Sequence, residues 1–245
     1  MLGRKFNVDK SSVDRKRNFG DKDEPGHNYL QVYDFFLKQL VIKTQMNNEI
    51  FKMLELGAGP DWNFGASARM FLEYLPDNSE ISIAEIRDRA EELNQIGVKS
   101  FIGDLGKLEF LNELQLSGPY NLILDDASHK WGHQIEGFME LFDIVSDGGI
   151  YIVEDLQTSY GQLREQYKSF NSLAGFKNID AATFFHFLSL SVLGGSATNL
   201  RVPLIKSFVR DDRIIKLSSK IRSITFIHGA AIIVKKDKSG DFLGF

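Results

Sequence analysis

The chain has 245 residues, 29 Lys and Arg against 33 Asp and Glu, and a formal net charge of -4, so no global positive field is available to hold a phosphate backbone and no nucleic-acid partner is expected. The absence of cysteine excludes disulfides, thiolate metal ligands and a cysteine nucleophile, which leaves oxygen and imidazole as the donors for any metal. No stretch stays apolar and uncharged for the roughly 18 residues that a membrane span needs, and the start, Met1 to Arg17, has no apolar signal core; a cytoplasmic protein without an integral membrane segment is expected.

The length suits one α/β domain. Residues 1 to 26, rich in Lys, Arg, Asp and Gly, read as an irregular arm. From Tyr29 to about Gln45, Leu30, Val32, Tyr33, Phe36, Leu37, Leu40 and Val41 recur at helical spacing, which predicts an amphipathic helix. Residues 1 to 48 are therefore expected to form an N-terminal arm and helix covering the site of a main domain at 49 to 245.

The main domain alternates β-rich and helical runs. Strands are predicted at Phe51 to Leu56, Glu80 to Glu85, Lys99 to Ile102, Tyr120 to Asp125 and Ile150 to Asp155. Helices are predicted around Ala66 to Tyr74, Arg87 to Ile96 and His133 to Val145. Repeated βαβ units imply a parallel sheet with helices on both faces. Near the end, Ser223 to Ile227 and Ala230 to Lys235 flank His228-Gly229 and read as an antiparallel hairpin. Residues 157 to 220 exceed an ordinary crossover and include an apolar helix from about Ala181 to Leu193, so a helical insertion is expected there.

Two sets of residues carry chemistry. The first is Glu55-Leu56-Gly57-Ala58-Gly59, a strand entering a glycine turn, where missing side chains let a ligand approach the backbone. A dinucleotide fingerprint would require glycine at Trp62, so a pyrophosphate is not indicated. Glu85 ends the second strand, where a carboxylate can accept both ribose hydroxyls, and Asp104 can receive an adenine amino group. Glu55, just before the glycines, is a candidate to meet the ammonium of an amino-acid moiety. Taken singly, Glu85 and Asp104 also suit helix N-caps; with the glycine turn they favour adenosine.

The second set is Asp125-Asp126-Ala127-Ser128-His129 with Glu154-Asp155, each ending a predicted strand. Ligands in open α/β sheets sit outside the carboxyl ends of the strands, so these groups are expected around one site. A helix starting near Ala127 would place His129 on the side of Asp126. Taken singly, Asp125 or Asp126 also suits a helix cap, Glu154-Asp155 a solvated strand end and the histidine a surface position. Trp131 and His133 are candidates to line an acceptor pocket, an aromatic face being a platform for a sugar, or simply to pack at the helix start. Gln157 and Tyr160 are candidate substrate contacts.

Glu55-Leu56-Gly57-Ala58-Gly59 with Glu85 and Asp104 resembles the class I S-adenosylmethionine-dependent methyltransferases. That resemblance implies a Rossmann-like α/β fold with a seven-stranded, mostly parallel sheet, an antiparallel C-terminal hairpin and a cofactor site that includes Asp125. Asp126-Ala127-Ser128-His129, Glu154-Asp155-Leu156-Gln157-Thr158-Ser159-Tyr160, Gly65-Ala66-Ser67, and Asp21-Lys22 followed by His27-Asn28-Tyr29 are similar to motifs of the metal-dependent sugar O-methyltransferases. This narrower resemblance implies that Asp126, Glu154 and Asp155 bind Mg²⁺ or another divalent cation, that His129 is the general base beside Asp126, and that the substrate is a small molecule or glycan bearing a sugar hydroxyl. It also makes a homo-oligomer an expectation. Ala127, where that family often has glycine, and the Pro60 to Phe64 segment are departures that bear on substrate identity. Two other readings stay open at this stage: a class I methyltransferase acting on a phenol, carboxylate or phosphate-type oxygen without catalytic metal, and a cofactor-binding interaction protein without turnover.

Overall fold

The structure, a computed structural model, describes Lys5 and residues 29–169, 179–194 and 203–237. The predicted arm at 1 to 26 apart from Lys5, together with Asp21, Lys22, His27 and Asn28, lies outside the described residues.

Among the described residues, a sheet of seven strands organises the chain. Its strands are β1 (Lys52–Leu56), β2 (Glu80–Glu85), β3 (Lys99–Ile102), β4 (Tyr120–Asp125), β5 (Val145–Val153), β6 (Ile221–Ile227) and β7 (Ala230–Lys235), in the order β3-β2-β1-β4-β5-β7-β6. Pairing is parallel from β3 through β5, while β7 is antiparallel to both β5 and β6. The strand order reverses between β1 and β4. Such a switch point opens a crevice at the carboxyl ends of the strands, because the crossovers on its two sides leave toward opposite faces.

The α-helices among the described residues from residue 29 on are α1 (Leu30–Met46), α2 (Ala66–Tyr74), α3 (Ala90–Gln95), α4 (Leu108–Gln115), α5 (Trp131–Leu141), α6 (Leu163–Tyr167), α7 (Ala181–Val192), α8 (Pro203–Val209) and α9 (Asp212–Lys220). Side chains alternate across a strand, and this period assigns each strand residue to one of two cores. Leu122, Leu124, Ile150 and Ile152 face the core built with Tyr33, Leu37 and Leu40 of α1 and Met70 and Phe71 of α2. Ile123, Tyr151 and Val153 face the other, with Ile135 and Phe138 of α5, Phe184 and Phe185 of α7 and Leu217 of α9. Phe138 is the hub of the second core: it is fully buried and its ring lies 5.0 to 6.4 Å from those of Phe142, Tyr151, Phe184 and Phe185. Truncating such a residue to alanine costs about 3–5 kcal/mol.

Several boundaries move relative to the sequence expectation. The helix after β4 runs from Trp131 to Leu141, shorter than the predicted His133 to Val145 at its far end, and does not begin near Ala127, so His129 occupies a loop and not a first helical turn. The helix after β2 starts at Ala90, which leaves Arg87 in the connection. Strand β5 begins at Val145, five residues earlier than its apolar run, because Ser146-Asp147-Gly148-Gly149 extends along β4 across a register shift. Among the described residues no helix is long and apolar enough to cross a membrane.

Candidate active site

The tips of β1, β2, β4 and β5 surround a cavity of about 560 Å³. Its first wall is the glycine turn. Gly57 has φ +92°, and a Cβ there would lie 2.5 Å from the carbonyl oxygen of Asp126 and 2.8 Å from Cα of Ala127. Only glycine allows this conformation and this approach. Gly57 N–H donates to the Ala84 carbonyl at 2.8 Å and Asp126 N–H to the Leu56 carbonyl at 3.0 Å, so the turn is bound to both neighbouring strand ends.

Glu85 closes β2 and lines the cavity. Its Oε2 accepts from Ala58 N–H at 3.0 Å and from Arg87 Nη2 at 2.8 Å; its Oε1 accepts from Arg87 N–H at 2.9 Å and Arg87 Nε at 2.8 Å. Burial pushes the carboxyl up, but the Arg87 donors and the Ala58 amide outweigh it and hold the group below its ordinary value. Arg87 also donates to the Gly59 carbonyl at 2.6 Å and to Asp61 at 2.7 Å, and the guanidinium carbons of Arg87 and Arg89 lie over the Phe64 ring, 5.0 and 3.7 Å from its centre. The Pro60 to Phe64 segment is thereby tied to the tip of β2. Sequence reasoning missed Arg87; a cation two residues after a strand-ending acid was the available signal.

Asp104 lines the cavity from the β3 side, and one of its oxygens accepts from Gly106 N–H at 2.9 Å. His133 is beside it, with Nδ1 hydrogen-bonded to Ser128 Oγ at 2.9 Å and Nε2 close to Gly106. Burial lowers the pKa of His133 below the ordinary imidazole value, which favours a neutral ring at pH 7. His133 thus lies on the wall shared with Asp104.

The opposite wall is acidic. Asp126, His129 and Asp155 each offer one ligand atom, and these atoms lie within 4.8 Å of one another; among the described residues this is the group that could hold a metal ion. His129 Nε2 is 3.2 Å from Asp155 Oδ2. Both residues have left-handed backbone, φ +56° and +58°, a conformation that is uncommon for residues with a side chain and turns them toward each other across the β4 and β5 tips. Thr158 Oγ1 donates to the Asp155 carbonyl at 2.8 Å and Gln157 Nε2 to Asp155 Oδ1 at 2.6 Å, which braces the second of these turns.

Six residues singled out in the sequence do not line the cavity. Glu55 is buried on β1, and Trp131 is packed in the core with its Nε1 3.4 Å from the Thr158 carbonyl. Gln157 serves as the brace of Asp155, and Tyr160 is 62% exposed. Asp125 and Glu154 are separated by the pleat. Asp125 lies on the α5 face near Gly137, where burial, partly opposed by His129, pushes its carboxyl up to about 7. Glu154 lies on the α1 face, where Tyr33 donates to its Oε1 at 2.7 Å. Gly57, Gly59, Glu85, Asp104, Asp126, His129, His133 and Asp155 all face the one cavity.

No family model matches the chain. Among curated proteins, the mycinamicin VI 2''-O-methyltransferase of Micromonospora griseorubida is 32% identical over 142 residues, 54% of this chain and 35% of that protein. A tetracenomycin rhamnosyl 3'-O-methyltransferase of Streptomyces olivaceus is 29% identical over 149 residues, 59% of this chain and 36% of that one. The matched segments therefore span about a third of the length of these relatives. Among solved structures, the MycE methyltransferase of the mycinamycin pathway, in complex with Mg and SAH, superposes with a TM-score of 0.70 at 21% identity, over 98% of this chain and 53% of that one. The chain has the fold of the class I methyltransferases, and its sequence relatives include sugar O-methyltransferases of the kind that its motifs resemble.

Proposed function

We propose that this chain transfers the methyl group of S-adenosylmethionine to a hydroxyl of a sugar, on a glycosylated natural product or a surface polysaccharide precursor, with the help of a divalent cation such as Mg²⁺. The observation that carries this reading is one cavity with a nucleoside-type wall, Gly57 to Gly59 and Glu85, opposite a wall where two carboxylates and an imidazole crowd within 4.8 Å. Like charges brought that close without a cation are mutually destabilising, and hard oxygen donors with no thiolate suit Mg²⁺.

Each residue has a defined task in this reading. Glu85 accepts the ribose hydroxyls. Its carboxylate offers about four lone-pair sites, and Ala58 and Arg87 use four, so the diol takes the place that Arg87 holds. Asp104 receives the adenine amino group, and the glycine turn lets the methionine moiety pass close to the backbone. Asp126 and Asp155 would hold the cation, and Glu154, which faces Tyr33 and not the cavity, stands behind Asp155. A sugar hydroxyl is a weak acid, and a bound divalent ion supplies the charge that lowers its pKa. His129, oriented by Asp155, accepts the proton as the methyl group leaves the sulfonium. The sequence similarity to sugar O-methyltransferases supports the choice of acceptor.

The test is turnover of sugar-bearing acceptors with and without chelator. Excess EDTA is expected to abolish methylation and leave S-adenosylhomocysteine binding nearly unchanged; full activity in EDTA would refute the role of the cation.

A further inference from the structure

Helix α1 contributes one polar contact to the strand tips that its apolar spacing did not announce. Tyr33 is 1% exposed, and its hydroxyl donates at 2.7 Å to Oε1 of Glu154, a carboxylate 2% exposed and 121 residues away in the chain. The phenol hydroxyl is the donor of this hydrogen bond and the carboxylate its acceptor. On the other face of the sheet, Gln134 Nε2 of α5 donates to the Glu154 backbone carbonyl at 2.8 Å. Glu154 is thus held by its side chain from one face and by its peptide from the other, immediately before the left-handed turn at Asp155.

We infer that Tyr33 is a positioning residue for the cation site, fixing the direction of Glu154 and, through it, the placement of Asp155. This deepens the proposed function and rests on its cation site. A buried carboxylate that loses a hydrogen-bond donor either turns to find another or carries the cost of its absence, and both displace the acidic tip of β5. Outer partners that orient metal ligands commonly change metal affinity by about 10- to 100-fold when removed. The coupling has a structural consequence: the N-terminal helix becomes part of the cation site without touching the cation.

The experiment compares wild type, Tyr33→Phe and Leu40→Ala by Mn²⁺ binding, followed by electron paramagnetic resonance, and by S-adenosylhomocysteine binding, followed by calorimetry. Tyr33→Phe keeps the ring and its stacking on Tyr29 at 5.7 Å and removes only the hydroxyl, whereas Leu40→Ala loosens the same helix in the same core. Tyr33→Phe is expected to weaken Mn²⁺ by at least about 10-fold with S-adenosylhomocysteine affinity within twofold of wild type, and Leu40→Ala to leave the Mn²⁺ affinity nearly unchanged. Wild-type Mn²⁺ affinity in Tyr33→Phe overturns the inference alone. An equal loss in Leu40→Ala also overturns it, by assigning the effect to helix docking. Failure of the wild type to bind Mn²⁺ removes the cation site of the proposed function, and this inference with it.

Discussion

The two ends of the cavity use the same acidic chemistry in opposite ways. At the β2 tip, Glu85 is satisfied by short-range neighbours: one residue two positions ahead supplies three of its four donors, and its carboxyl is held below the ordinary value despite burial. At the β4 and β5 tips, Asp126, His129 and Asp155 converge from segments 29 residues apart, and two of the three sit on left-handed backbone. The β2 end is electrostatically closed by its own sequence. The other end gathers negative charge at the cost of backbone strain, which folding alone does not reward. A region that keeps such an arrangement is one where a ligand supplies the compensation.

Three experiments sharpen this contrast. The largest effect is expected from His129→Ala: a loss of about 10²- to 10⁴-fold in methyl-transfer rate, the range for a positioned acid or base, with S-adenosylhomocysteine affinity nearly unchanged in calorimetry. A parallel loss of cofactor affinity would show that the two ends are one unit. Gly57→Ala strikes the seam between them, because its Cβ would meet backbone atoms of Asp126 and Ala127 at a φ of +92°. A chemical melt is expected to show a destabilisation of about 1–3 kcal/mol, the cost of a strained backbone, and cation and cofactor affinities are expected to fall together. A neutral result would mean that the turn can move away from β4.

The smallest effect concerns pH. Glu85 has a folded pKa below its unfolded value, so its contribution is present above the ordinary carboxylate value of 4.5 and is lost as the pH falls through the folded value. Urea melts between pH 3 and 6 are expected to show a steeper acid loss of stability in the wild type than in Arg87→Leu. Equal slopes would indicate that the Arg87 fork does not set the protonation of Glu85.

Much of the architecture was legible from period alone. The alternation of β-rich and helical runs placed the five parallel strands and the final hairpin, because a two-residue period and a helical period bury different residues, and a βαβ chain has few ways to cover both faces of its sheet. The glycine turn, Glu85, Asp104, Asp126, His129 and Asp155 were legible for a related reason: the carboxyl ends of parallel strands lie on one edge, so residues there share a cavity wherever they fall in the chain.

The aim of each side chain was not. Asp125 and Glu154 end neighbouring strands in adjacent acidic pairs, yet the pleat sends one toward Gly137 and the other toward Tyr33, so neither lines the cavity. Trp131 looked suited to a sugar and went into the core, since a large ring at a helix start gains more from burial than from a solvated wall. His129 reached Asp155 through a left-handed loop and not through helical spacing, and Arg87 took the lone pairs of Glu85. Residue types and their order define the sheet, its cavity edge and the chemical character of that edge. Which carboxylates face one another, and which distant helix holds them, is set by packing, because pleat parity at a strand's last residue, loop handedness and contacts between elements far apart in the chain depend on three-dimensional structure.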